Sequence, residues 1–167
     1  MLTAIRALPP NANAPVVATL ALTASDRTRS RHRFEPDHGP AIYLNLPRGT
    51  ILRSNDLLLI DDGQQVRVLA KPEPVIQVTA AMPFDLMRAA YHLGNRHVPL
   101  EISPNSLTLE PDPVLEAMLA QLEGLTLTPA IRPFEPEAGA YRQGGSPAIP
   151  SPSHHYAHVH NPTDRHD

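Results

Sequence analysis

Tyr91-His92-Leu93-Gly94-Asn95-Arg96-His97-Val98-Pro99-Leu100-Glu101-Ile102 is the stretch that decides the fold. A helical pattern halts at a glycine, a polar turn follows, and an extended apolar run begins. Glycine adopts the left-handed conformation at little cost, so Gly94 is predicted as the αL cap of a helix over residues 83–93. The turn then sets one imidazole, His97, at the mouth of a strand over residues 98–102. Far downstream, His154-His155-Tyr156-Ala157-His158-Val159-His160 gathers four more imidazoles within seven residues. The chain has no cysteine. One ordered histidine and one histidine cluster therefore point to a nitrogen-favouring metal ion that is held rather than used for chemistry.

Working outward, residues 75–79 form a strand before the helix. Residues 98–102 and 106–109 form two more around the turn Ser103-Pro104-Asn105. Asp112-Pro113 is a helix start, with aspartate as N-cap and proline at the first helical position. Val114, Leu115, Met118, Leu119 and Leu122 repeat at helical spacing until Gly124, and residues 125–131 close as a strand. The order β-α-β-β-α-β predicts a ferredoxin-like sandwich, with two helices on one face of a four-stranded antiparallel sheet.

Upstream the pattern is all β. Residues 16–22, 27–34, 41–46, 56–60 and 66–70 are short runs separated by Asp37-His38-Gly39-Pro40, Pro47-Arg48-Gly49 and Asp61-Asp62-Gly63. Such connections predict a small barrel or sandwich of hairpins. Pro72-Glu73-Pro74 reads as a stiff spacer, because neither proline can donate to a sheet. From Gly144 onward, glycine, serine, proline and histidine dominate, so a disordered tail is expected. The fold class is therefore α+β. Residues 1–73 form a small all-β domain for partner or peptide binding, residues 74–143 a ferredoxin-like domain, and residues 144–167 a His-rich tail.

Composition narrows the function. The formal charge of −3 and the lack of aromatics interleaved with arginine argue against nucleic acid. No apolar run approaches the roughly 20 residues of a membrane span, and no signal pattern opens the chain, so a cytoplasmic location is expected. Without cysteine there is no disulfide, thiolate ligand or cysteine nucleophile. Asp61-Asp62 and Glu135/Glu137 sit in turn-like or terminal contexts, and no nucleophile motif is present; the chain is not expected to be an enzyme.

Residues 90–102, Asp112-Pro113-Val114-Leu115-Glu116-Ala117-Met118-Leu119 and Pro133-Phe134-Glu135-Pro136-Glu137-Ala138-Gly139-Ala140-Tyr141 carry a resemblance. The chain resembles the urease accessory protein family UreE, which are nickel metallochaperones. Arg29-Ser30-Arg31-His32-Arg33, Leu46-Pro47-Arg48-Gly49-Thr50 and Asp61-Asp62-Gly63 sit where that family has comparable segments. The likeness covers roughly residues 15–141, together with a tail of the variable kind the family carries. It implies a homodimer in which the motif histidine of each subunit, here His97, shares one nickel. It also implies delivery to urease apoprotein through a GTPase accessory protein. Some members place further histidines before the second helix; this chain has Glu110-Pro111-Asp112-Pro113 there, so additional ligands must come from the tail or from water.

The chemistry points the same way. Neutral imidazole is the best cysteine-free ligand for nickel, zinc or copper, and its ordinary pKa of about 6.5 leaves it free to bind at neutral pH. One histidine per protomer is too little, and a twofold axis supplies a second. Two imidazoles helped by His154, His155, His158 and His160 make a site that fills and empties, as a donor requires. The alternative is a histidine-rich buffer or storage protein without a dedicated client; a peptide chaperone indifferent to metal is a third reading. His92 is expected to meet the carbonyls of the last helical turn, and His32 and His38 to be surface or turn residues. Arg27, Arg29, Arg31 and Arg33 alternate, so in a strand all four would point to one side, as a solvated face or a docking surface for an acidic partner.

Overall fold

Two sheets built from short strands organise the chain, for which a computed structural model describes residues 1–36 and 39–138. The expected tail, with its four clustered histidines, and His38 lie outside the described residues.

The first sheet contains β1 (Leu2–Leu8), β2 (Ala18–Leu22), β3 (Arg31–Phe34), β4 (Ile42–Asn45), β5 (Leu57–Ile60) and β6 (Gln65–Ala70), in the order β2-β6-β5-β1-β4-β3. Successive side chains on a strand point to opposite faces, so each core strand contributes residues two apart. Leu20 and Leu22, Ile42 and Leu44, Leu58 and Ile60, and Val66 and Val68 accordingly share one buried cluster. Gly63, at φ 87°, makes the turn between β5 and β6, as Asp61-Asp62-Gly63 predicts.

Three features differ from the sequence reading. β1 was not anticipated, because its fully buried position is Ala4, too small to mark an apolar alternation. The sheet is not a set of hairpins alone, since β1 pairs parallel with β4 and β2 parallel with β6. Parallel partners cannot be joined by tight turns, so no local signal announces them. Finally, the expected strand over residues 27–34 is divided, with a 3-10 turn at Asp26–Thr28 before β3 begins.

The second sheet begins after a single residue, Lys71. It comprises β7 (Pro72–Ala80), α1 (Pro83–Gly94), β8 (Glu101–Ser103), β9 (Ser106–Leu109), α2 (Pro113–Leu119) and β10 (Leu125–Pro133). The strand order is β10-β7-β9-β8 and every pair is antiparallel, the arrangement expected of the ferredoxin-like order. Ile76, Val78, Leu107 and Leu109 from the sheet pack with Ala89 and Leu93 of α1 and Leu119 of α2. The Asp112 carboxylate caps α2 as predicted, accepting from Val114 N–H at 2.8 Å and Leu115 N–H at 3.0 Å. Val114, grouped with the core face by spacing, is instead exposed.

Pro72-Glu73-Pro74 is not a spacer but the start of β7. Pro72 faces Pro133, Pro74 faces Ile131 and Ile76 faces Pro129. In an antiparallel ladder hydrogen-bonded and non-bonded pairs alternate. All four prolines share one parity, so all fit the non-bonded set and none costs the β7–β10 ladder a donor.

Candidate metal centre

His97 is held by the end of α1. Its N–H donates to the Gly94 carbonyl at 2.9 Å, and Val98 N–H donates to the Leu93 carbonyl at 3.2 Å. These two bonds have the spacing of a Schellman closure, whose left-handed C′ position is normally glycine. Here it is His97, at φ 55°. Leu93 and Val98, the two residues such a closure brings into apolar contact, belong to the same core cluster. Gly94, predicted as the left-handed cap, is the last helical residue, with no positive φ. The sequence reading placed the special conformation three residues early because glycine usually takes it. Left-handed backbone costs a non-glycine residue roughly 1–2 kcal/mol, although histidine is among the side chains found there more often. The Arg96 guanidinium donates to the His92 carbonyl at 3.0 Å and steadies the helix end.

The imidazole is exposed. It borders an opening of about 290 Å³ lined also by Arg96, Pro99, Glu110, Pro111 and Asp112. One Asp112 oxygen is already engaged in capping α2. Among the described residues, no group of three or more histidine or acidic side chains is close enough to hold an ion. His97 therefore offers a single strong nitrogen donor and needs others from elsewhere. Beside it, α1 presents Phe84, Met87 and Tyr91, each more than 60% exposed. Their spacing places them on one helical face, and the stripe ends in the turn that carries His97.

Two further histidines, His32 and His92, lie among the described residues, both half-buried. His92 lies in the last turn of α1, edge-to-face with Tyr91. His32 packs edge-to-face on Phe34 with centroids 4.7 Å apart. His154, His155, His158 and His160 lie outside the described residues.

The arginine row is broken. Arg27 is not on the strand but in the 3-10 turn, with only 2% of its surface exposed. Its guanidinium donates to the Glu135 carboxylate and to the Phe134 carbonyl. The same Glu135 oxygen accepts from Ser54 N–H at 2.7 Å. Phe134, fully buried, packs with Ala24 and Val75, while Arg53 donates to the Pro136 carbonyl. Sequence reasoning missed this ion pair because its members are 108 residues apart. The segment after β10 is thus a strap fastened to the first sheet, and Glu137 N–H then donates to the Leu100 carbonyl at 2.7 Å. Nearby, Glu73 is buried, accepting from Ala24 N–H at 2.7 Å. Burial pushes its carboxyl above the usual range, against the stabilising pull of that N–H.

Comparison with known proteins bears on the whole chain. A family model described as UreE urease accessory protein, N-terminal domain, matches residues 1–71, and its C-terminal counterpart matches residues 73–166. A protein named urease accessory protein UreE from Nostoc punctiforme is 52% identical over 159 residues, covering 95% of this chain and 100% of the relative. A protein of the same name from Nostoc sp. is 51% identical, covering 84% of this chain and 96% of the relative. Another from Microcystis aeruginosa is 50% identical, covering 85% and 93%.

Proposed function

This chain belongs to the UreE family of urease accessory proteins, and on that premise we propose that it binds nickel at a homodimer interface and delivers it during assembly of the urease metal centre. It is an accessory protein, not an enzyme. The observation that carries the proposal is the placement of an exposed, left-handed His97 at the end of the exposed stripe Phe84, Met87 and Tyr91. Large apolar side chains exposed together on one helical face favour a partner. In an isologous pair each position at the axis meets its own copy, so a second chain that covers the stripe about an axis passing beside the turn would bring two His97 imidazoles together. Two nitrogen donors give a site that is open to exchange, unlike a structural site closed by four fixed ligands.

His154, His155, His158 and His160 are proposed as the additional ligands. Residues 74–143 are assigned to metal binding and dimerisation, residues 1–73 to partner binding and residues 144–167 to metal recruitment. The partners are urease apoprotein and its GTPase accessory protein, in the cytoplasm; among the described residues no helix is long and apolar enough to cross a membrane. Zinc and copper suit the same donors, and copper outranks nickel in general affinity, so selectivity rests on geometry and supply. The competing reading is a histidine-rich buffer without a client. Nickel titration of the intact protein and of a chain ending at Gln143 separates them. A donor keeps one tight ion per dimer after truncation, whereas a buffer loses nearly all its capacity.

A further inference from the structure

Charge is divided unevenly along the chain. Residues 1–71 hold nine Lys and Arg against six Asp and Glu, whereas residues 72–137 hold three against nine. Part of the positive excess gathers on one edge. β3 is an outermost strand of the first sheet, with Arg31 and Arg33 exposed and His32 and Phe34 half-buried. Leu46 N–H donates to the Ser30 carbonyl at 2.8 Å, which draws the turn carrying Arg48 alongside Arg29. Arg33 pairs with Glu35 at 2.9 Å and Arg29 with Asp26 at 3.4 Å, both on the surface. Arg31 and Arg48 have no ion pair among the described residues. Tyr43 sits opposite Arg33 on β4, half-buried behind the edge.

We propose that this edge, formed by Arg29, Arg31, Arg33 and Arg48 with Tyr43 behind them, is the docking surface for a carboxylate-rich face of a protein partner. Tyrosine and arginine are the side chains enriched at the energetic centres of protein interfaces. Exposed ion pairs such as Arg33–Glu35 are worth only about 0–1 kcal/mol, so a partner's carboxylates can replace them at small cost. The inference rests on the delivery reading, since a donor must dock before its ion moves, and it names the surface that docks. Arginines on an edge strand also guard against strand-to-strand aggregation. A guard works with charge of either sign, whereas docking to carboxylates requires positive charge, so charge reversal separates the two roles.

The test uses the full-length protein, its Arg31→Glu/Arg33→Glu variant and the Arg31→Lys/Arg33→Lys variant. Each is titrated separately with the cognate GTPase accessory protein and with urease apoprotein, at low and high salt. Affinity for whichever binds the native protein should fall at least tenfold on reversal, with its salt dependence flattened, while the lysine variant keeps most of it. The tight nickel site and the melting temperature should not move. Unchanged docking by the reversed variant overturns the proposal. So does an effect confined to self-association, which would make a second copy the occupant, or an arginine-dependent affinity for a DNA duplex exceeding that for either protein. A native protein without a tight nickel site would instead overturn the delivery reading itself.

Discussion

His97 combines an unfavourable backbone with an exposed side chain, and that pairing separates the metal-binding role proposed for it from its structural one. A position chosen for folding alone would be glycine, because the Schellman closure needs φ near 55° at that residue. His97→Gly should therefore leave stability equal or raise it by about 1 kcal/mol. The same change should abolish the tightest nickel site. His97→Ala should also lose the ion, but without the stability gain, because alanine pays the same left-handed cost. Thermal melts and nickel titration of the two variants check this. Tight binding retained in either would remove His97 from the site. The turn that carries the residue was legible in the sequence, through the helix stop that precedes it. Its conformation was not, because Gly94 offered a more ordinary candidate for the left-handed position.

At the scale of elements, what was local in sequence was legible and what was distant was not. Asp112-Pro113 announced α2 because cap and helix are adjacent. The apolar alternation announced β7, β9 and β10 and so the second sheet. The strap Phe134–Pro136 and its anchor Arg27 were missed, because nothing near Arg27 reveals a carboxylate 108 residues away. Arg27 is buried and Glu135 partly exposed, and removing either leaves the other without its counter-charge. Arg27→Met should cost about 3 kcal/mol, at the low end for such pairs because Glu135 is partly solvated. Glu135→Gln keeps an oxygen that accepts from Ser54 and Arg27 but leaves the buried guanidinium without its counter-charge, so it should cost a comparable amount, about 3 kcal/mol. Denaturant midpoints of both variants should fall below that of the native protein; an unchanged midpoint in Arg27→Met would mean the strap is not fastened by the guanidinium.

Glu73 lies at the same junction and gives the fold a pH dependence. Its carboxyl is raised in the folded state by burial, so the fold binds that proton more tightly than the open chain does. Its contribution is most favourable at low pH and is lost as pH rises from the ordinary carboxylate range through the raised folded value. Glu73→Gln should flatten this loss and match or exceed the native stability at neutral pH, with the amide oxygen still accepting from Ala24 N–H. Asp56, also raised by burial, should keep part of the slope. Melting temperatures measured between acid and neutral pH decide it. A steeper decline in the glutamine variant would contradict the account.

For the whole molecule, a linker of one residue and a returning strap join the two sheets, so the second sheet is not expected to be indifferent to loss of the first. A fragment of residues 74–143 loses Pro72 and Glu73 from β7 and uncovers Phe134 from Ala24. It should melt below the intact protein while keeping the turn that carries His97. The central claim concerns something larger than one chain, a nickel ion shared between two copies of that turn. The most direct test is a calorimetric nickel titration of the intact protein, with its mass followed in parallel by sedimentation. The account predicts a dimer that takes up one tightly held ion per two chains, and a His97→Gly variant that stays dimeric without it. One tight ion per chain, or a tight site that survives that substitution, would contradict it.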